Sequence, residues 1–173
     1  MRVESEFAVS KEVKPFAKIK VPKKLIPSME REQVWTYAPL LRPAVTFIEK
    51  HLSEESVIRK ALNNPTNFAF RGFRREKGKH LTRALLAVEK NGIERSTEYQ
   101  GPWIIPTDAA TALYYAIPDR GEVGIVLVFR VSGMSFKGNP ITYTADLKEG
   151  QSLRDLHVGT IQLELVNFRL PLT

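Results

Sequence analysis

The sequence contains no cysteine among its 173 residues. This absence excludes disulfide bonds, catalysis by a thiolate, zinc ribbons and iron–sulfur clusters. Histidine is scarce as well, and the three positions, His51, His80 and His157, lack the close spacing that a metal site needs. Neither the glycine-rich fingerprint of a Rossmann fold nor a P-loop is present. Metal-centred and P-loop chemistry therefore find no support in the sequence.

Long apolar runs are also missing. No run approaches the roughly 18 residues of a membrane-spanning helix. No apolar segment follows Met1 to Glu6, so the sequence shows no secretory signal. We therefore expect a soluble protein without membrane contact, either cytoplasmic or exported by a route that the sequence does not show.

The composition is that of a folded globular protein, with 43% hydrophobic and 26% charged residues. A chain of this length is expected to form one domain. The formal net charge of +7 is uneven: residues 1–100 contain 20 Lys and Arg against 12 Asp and Glu, whereas residues 101–173 contain 6 against 7. A basic half attracts phosphates or acidic partners, although a solvated surface explains most of these lysines more simply.

Residues 1–30 are predicted to form a basic, extended arm. Lysines are concentrated between Lys11 and Lys24, and Pro22 and Pro27 prevent a regular helix there. The remaining chain, residues 31–173, is predicted to form a single α+β domain that begins with a helical lead-in over residues 30–65.

Short helices are expected within this lead-in. Pro43 suits the first turn of one helix. Ser53 suits the N-cap of a second helix over 54–62, which Asn63-Asn64-Pro65 ends. An apolar stripe marks the buried face of the first helix, namely Ala44, Val45, Ile48 and Leu52.

The second part of the chain is rich in strands. Asn67 to Arg71 alternates as a strand does, and Gly72 is expected to end it. Val123 to Val131 is a continuous apolar run typical of a central strand. The other predicted elements are a helix over 79–91, a strand at 103–105, a helix from a Thr107 or Asp108 cap to Ala116, and a last strand over 158–168. Helices followed by a strand-rich half indicate an α+β fold.

Three segments carry residues suited to chemistry. Arg71, beside a glycine that lets a ligand approach the backbone, can form a fork for phosphate. A capped helix ends in Tyr114 and Tyr115. In the last strand Gln162 and Glu164 point to one face, where a carboxylate can grip a hydroxyl and stabilise a cationic transition state. Taken alone, each segment is more simply explained as ordinary surface or core.

In their order and spacing, the segments resemble ADP-ribosyltransferases of the arginine–serine–glutamate class, which includes bacterial toxins. Phe70-Arg71-Gly72 matches the family's aromatic-Arg-Gly strand, and Gln162-Leu163-Glu164 matches its Gln/Glu-x-Glu strand. The resemblance extends over about residues 66–168. Between the two strands it includes a helix, a helix ending and an apolar strand, matched by Ala87 to Ile93, Ala112 to Ala116 and Gly124 to Val131.

One position departs from the family pattern. Where the family has a Ser-Thr-Ser strand, this chain has Ile105-Pro106-Thr107, in which only Thr107 supplies a hydroxyl. In the family this serine orients the catalytic glutamate. An alternative placement uses Ser96-Thr97-Glu98.

The resemblance implies a split, mixed β-sheet of the ADP-ribosyltransferase type and NAD as a substrate. It implies that Arg71 clamps the NAD pyrophosphate, with Gly72 beside it. Glu164 would hold the ribose 2′-hydroxyl, and Gln162 would orient the acceptor. The remaining NAD contacts that the resemblance implies are Thr107 and an aromatic ring against the nicotinamide, from Tyr114, Tyr115 or Phe136.

The resemblance also bears on the acceptor and on partners. A glutamine at position 162 accompanies, in the family, acceptors other than arginine. The acceptor would be a macromolecule, either a protein side chain or a nucleic acid. Such a transferase would be a toxin or effector acting in a cytoplasm, with a cognate immunity protein or antitoxin as a further partner.

Two alternatives without NAD chemistry stay open. The densest basic cluster runs from Arg71 to Arg83 and is interleaved with Phe70 and Phe73, which suits a nucleic-acid-binding module. A small nuclease toxin would instead use His80 or His157 as acid and base. His157 is expected in the loop before the last strand.

Overall fold

The computed structural model describes residues 15–27, 34–78, 83, 103–104, 108–131, 136–137, 144–145 and 156–167. It contains four α-helices among these residues: α1 (Val34–Tyr37), α2 (Arg42–Lys50), α3 (Val57–Asn63) and α4 (Ala109–Ala116). Three short 3-10 helices cover Lys23–Leu25, Ala38–Leu41 and Pro65–Asn67. The strands are β1 (Phe16–Pro22), β2 (Phe68–Glu76), β3 (Trp103–Ile104), β4 (Glu122–Arg130), β5 (Phe136–Lys137), β6 (Thr144–Ala145) and β7 (His157–Val166).

A mixed sheet of four strands forms the centre of the described structure, in the order β1-β7-β4-β2. β1 runs parallel to β7, whereas β4 is antiparallel to both β7 and β2. The short strands form a separate antiparallel sheet in the order β3-β6-β5. The apolar run Val123 to Val131 is the interior strand β4, as predicted, and the α+β class is confirmed.

The two faces of the main sheet differ in chemistry because successive side chains point to opposite sides. One face, here called the helix face, carries Phe70, Val126 and Ile161, which join the core formed with α2, α3 and α4. The opposite face, here called the Arg71 face, is defined by the alternate residues of the same strands. They are Arg71, Phe73 and Arg75 of β2, Val123, Ile125 and Leu127 of β4, Thr160, Gln162 and Glu164 of β7, and Phe16, Lys18 and Lys20 of β1.

Two glycines allow α4 to approach the helix face closely. A Cβ built on Gly72 would lie 1.8 Å from the carbonyl oxygen of Ala112, and one built on Gly124 would lie 1.9 Å from that of Ala116. Two expectations about Gly72 are therefore wrong. It lies inside β2, which continues to Glu76, and the space beside it is filled by helix backbone and not by a ligand.

The described part of the basic arm belongs to the sheet. Residues 16–22 are extended, as the prolines predict, but they form β1 alongside β7 and do not stand apart from the domain. Ile19 and Val21 are buried in the helix-face core. Residues 1–14 lie outside the described residues, as does the predicted helix over 79–91 except for Arg83, which is helical.

Local signals set most helix ends. Pro43 occupies the first turn of α2. The apolar stripe of this helix is buried, as predicted. The N-cap of α3 is Ser56, whose hydroxyl accepts a hydrogen bond from the Ile58 amide, and not Ser53. The side chain of Asp108 caps α4. Thr107, the other candidate for this cap, lies outside the described residues.

Replacing Asp108 by alanine is expected to lower the free energy of unfolding by about 1–2 kcal/mol. The carboxylate accepts hydrogen bonds from the Ala110 amide at 3.4 Å and the Thr111 hydroxyl at 3.1 Å, and it lies 2.9 Å from the Arg42 guanidinium. Urea unfolding measures the change. Asp108→Asn, which keeps an acceptor, should lose less than half as much, and equal losses in the two variants would contradict the capping role.

Candidate functional site

Arg71 lies in the interior of β2, on the Arg71 face. Its register partner on β4 is Leu127, and the partner of Leu127 on β7 is Thr160. The side chain is half-buried. Burial, and then the neighbouring Arg75, lower the pKa of the Arg71 guanidinium from its ordinary value. Burial and a neighbouring like charge both disfavour the cationic form, and a bound anion would favour it.

Gln162 and Glu164 lie on the same face, on β7. Both side chains are half-buried, whereas the alternating neighbours Ile161 and Leu163 are buried in the core. The predicted orientation of this strand is therefore confirmed. The structure brings Arg71, Gln162 and Glu164 to one face of one sheet.

The spacing of these three side chains follows from the strand geometry. Strand β4 lies between β2 and β7, so Arg71 is separated from β7 by about 10 Å across the sheet. The register places Gln162 about 7 Å, and Glu164 about 13 Å, further along the strand direction. Ile125 and Leu127, which lie between these strands on the same face, are fully buried. An extended ligand with separate anionic and hydroxyl groups matches this spacing better than a small one.

The surroundings of Glu164 are cationic. Its Oε2 lies 3.6 Å from the Nζ of Lys77, with 34% of the Glu164 side chain and 56% of the Lys77 side chain exposed. On the other side, Lys20 of β1 is its partner in the parallel register, and Lys18 is the partner of Gln162. An ion pair this exposed adds little stability, but these lysines surround the carboxylate with positive charge.

Glu164 also borders a cleft of about 510 Å3 at the end of the sheet. Neither Arg71 nor Gln162 reaches this cleft. Two of its carboxylates face Arg74, whose Nη1 lies 2.8 Å from Asp119 and 3.9 Å from Glu122. The complete lining is Lys23, Lys77, Pro118, Asp119, Arg120, Gly121, Glu122, Glu164 and Leu165.

The tyrosines predicted to contact NAD lie elsewhere. Tyr114 and Tyr115 belong to α4, which packs on the helix face. The ring of Tyr114 packs edge-on against Tyr37, with 5.7 Å between the centroids, and Tyr115 is 49% exposed. The structure does not bring them to Arg71, because Gly72 and Gly124 draw their helix onto the opposite side of the sheet.

His157 lies within β7 and not in a loop before it. The side chain is 3% exposed, and its Nε2 forms a hydrogen bond of 2.9 Å with the Thr160 hydroxyl. A general acid or base must touch its substrate, which a side chain buried to this degree does not do. His80, the other histidine considered for a nuclease, lies outside the described residues.

The sequence interpretation placed Phe73 and Arg75 in a basic cluster, but it did not predict that they share a strand face with Arg71. The Arg75 guanidinium lies over the Phe73 ring, 4.8 Å from its centroid. The available signal was the alternation that continues beyond residue 72. It was missed because Gly72 was interpreted as the end of the strand. Phe136, the third aromatic candidate, belongs to β5 of the smaller sheet.

Comparison with known proteins adds no relative: no family model, curated protein or solved structure matches the chain. Across the part of the chain that the structure describes, no helix combines the length and apolarity needed to cross a membrane. The residues of the Arg71 face and their geometry are the basis for a functional proposal.

Proposed function

We propose that the protein transfers ADP-ribose from NAD to a macromolecular acceptor, and that its sheet is the core of an ADP-ribosyltransferase-like fold. One observation carries the proposal: Arg71, Gln162 and Glu164, which are far apart in sequence, share one face of the main sheet. They are the three residues that the resemblance to the arginine–serine–glutamate class selects. A half-buried arginine and a carboxylate in cationic surroundings together suit an anionic dinucleotide that also presents ribose hydroxyls.

Arg71 binds the pyrophosphate of NAD in this proposal. Its guanidinium offers paired N–H donors that match phosphate oxygens. The bound anion would offset the burial and the repulsion by Arg75 that lower the pKa of this side chain. Arg75 extends the same row of β2, and Lys77 follows the end of the strand. Both add positive charge along the path of the dinucleotide.

Glu164 accepts a hydrogen bond from the 2′-hydroxyl of the nicotinamide ribose. As the bond between C1′ and the nicotinamide nitrogen breaks, nicotinamide leaves with the electron pair and positive charge develops on the ribose. The carboxylate stabilises this oxocarbenium-like state. The acceptor then forms a bond to C1′ with its lone pair, and the proton that it loses passes to water.

Gln162 orients the acceptor, since it lies two residues before Glu164 on the same face of β7. The lysines beside it, Lys18 and Lys20, disfavour a cationic acceptor such as arginine. Phe73 is in the same register row as Gln162, through Ile125. It is therefore a better candidate than the tyrosines of α4 for stacking against a ring of NAD. A transferase of this kind would act as a toxin or effector, controlled by an immunity protein.

The proposal is tested by incubating the purified protein with NAD labelled in the adenylate phosphate, with and without a cell lysate. Nicotinamide release and labelled macromolecules are measured together.

Arg71→Ala is expected to raise the KM for NAD at least about tenfold, because a charge-assisted phosphate contact is lost. Arg130→Ala is the matched control, since Arg130 ends β4 on the helix face and packs over Phe68. The absence of nicotinamide release from the folded wild-type protein would refute the proposal.

A second candidate is a nucleic-acid-binding module without NAD chemistry. The observation that favours it is the combination of Phe16 and Phe73 with four basic residues on the Arg71 face, namely Lys18, Lys20, Arg71 and Arg75. Lys77 follows directly after β2. Aromatic rings among basic side chains suit single-stranded nucleic acid. Salt-dependent binding of nucleic acid by a protein that does not cleave NAD would favour this candidate.

A further inference from the structure

We propose that the acceptor is single-stranded nucleic acid, bound along a basic track that leads to the cleft beside Glu164. The track consists of Lys18, Lys20, Lys23 and Arg120. This inference rests on the proposed transferase activity and names the class of its acceptor. It is carried by the placement of the track, by its charge and by an exposed aromatic ring at its start.

The placement of the track follows from β1. Lys18 and Lys20 are exposed on this outer strand of the main sheet, and they lie opposite Gln162 and Glu164 in the register. Alternate residues of a strand are about 7 Å apart, so the two ammonium groups are spaced along one direction. The chain then turns through the 3-10 helix that contains Lys23, which lines the cleft together with Arg120 and Glu164. The track thus ends beside the proposed catalytic carboxylate.

Among the described residues, the basic groups of the track form no ion pair. Asp119 and Glu122 in the cleft both face Arg74. Lys18, Lys20, Lys23 and Arg120 have no carboxylate within 4 Å among the described residues. A polyanion would be attracted along this line, whereas a cationic side chain would be repelled.

An aromatic ring distinguishes nucleic acid from other polyanions. Phe16 is 44% exposed and lies at the start of the track, on the same face as Lys18. Exposed aromatic rings beside basic residues bind single strands, because any base can stack on them. The cleft volume of about 510 Å3 is within the usual range for a pocket that encloses a small ligand, so it can admit one base.

Transfer to such an acceptor breaks one bond to C1′ of the ribose and forms another. The C1′–nicotinamide bond breaks and nicotinamide leaves with its electron pair. A nitrogen of the base, placed in the cleft near Glu164, forms the new bond to C1′. The proton of that nitrogen passes to water, so nicotinamide and one proton are released for each ADP-ribose attached.

A structural explanation of the lysines predicts a different result. Lysines on an outer strand also prevent edge-to-edge aggregation of sheets. In that case Lys18→Gln with Lys20→Gln would reduce solubility and leave nucleic-acid binding unchanged. The double variant therefore distinguishes a role in nucleic-acid binding from a role in preventing aggregation.

The test uses fluorescence anisotropy with a labelled single strand of mixed sequence, about 12 nucleotides long, as DNA and as RNA. Lys18→Gln/Lys20→Gln is expected to weaken binding at least fivefold and to reduce the slope of log affinity against log salt by about 1.4, the value for two lost phosphate contacts. Phe16→Ala should weaken binding by about tenfold. The matched control is Lys50→Gln/Lys60→Gln, which removes the same charge from exposed positions on α2 and α3.

Nicotinamide release and transfer of label to the strand are measured in the same samples. Binding that depends on the track, together with label on the strand, supports the inference. NAD cleavage without track-dependent binding of the strand would overturn the inference and leave the proposed activity intact. Binding without NAD cleavage would overturn both. Equal binding of a duplex or of poly-glutamate would show that the track does not select single-stranded nucleic acid.

Discussion

Glu164→Gln is expected to lower the rate of nicotinamide release from NAD by about 100- to 1,000-fold, the usual effect of removing one preorganised group that stabilises transition-state charge. The substitution keeps the shape of the side chain and removes its negative charge. Without that charge the developing cation on the ribose would face Lys77 and the lysines of β1. The loss should appear in kcat more than in KM, because the carboxylate interacts most strongly with the transition state.

The matched control for this variant is Glu76→Gln. Glu76 ends β2 and is exposed, and the alternation of the strand places it on the helix face. The change removes the same charge by the same isosteric substitution, yet it should leave nicotinamide release within twofold of wild type. Urea unfolding of both variants verifies that the fold is retained. A rate for Glu164→Gln close to that of Glu76→Gln would exclude Glu164 as the catalytic carboxylate.

Much of the fold could be predicted from local patterns. The apolar stripe of α2, the continuous apolar run of β4 and the alternation in β7 each reflect burial that repeats with the period of the element. For the same reason the shared face of Gln162 and Glu164 was predicted correctly. These predictions require knowledge of one element only.

The errors arose where the answer depended on two elements distant in sequence. Gly72 was interpreted as a strand end because its true neighbour is the backbone of α4, about 40 residues later. The alternation of Ala17, Ile19 and Val21 in β1 was hidden by lysines and prolines, and it makes sense only beside β7. For the same reason Lys18 and Lys20 were assigned to a basic arm and not to the sheet.

The same reasoning explains why the candidate site was predicted only in part. Strand periodicity places Arg71, Gln162 and Glu164 on defined sides of their own strands. It does not say which side of the sheet α4 covers, and that decides whether Tyr114 and Tyr115 can join them. Gly72 and Gly124 let α4 pack closely on the helix face of the sheet, so Tyr114 and Tyr115 lie on the side opposite to Arg71.

Gly124→Ala is expected to cost about 3 kcal/mol of folding free energy, at the upper end of the usual range for overpacking. The added Cβ would lie 1.9 Å from the carbonyl oxygen of Ala116, and 3.0 Å from Leu163 Cγ. The close neighbour is helix backbone and not the end of a flexible side chain. Relief therefore requires α4 to move away from β4, which loses buried contacts along Ala112, Leu113 and Ala116. Urea and thermal unfolding measure the change.

Gly78→Ala separates this steric effect from the general cost of replacing glycine. Gly78 has a φ of +89° and no atom within 4 Å of an added Cβ, so its substitution costs about 1–2 kcal/mol through backbone conformation alone. Gly124 lies in a regular strand and carries no such conformational cost. If Gly124→Ala were no more destabilising than Gly78→Ala, α4 could not pack against β4 as closely as described. Tyr114 and Tyr115 would then not be held on the helix face, away from Arg71.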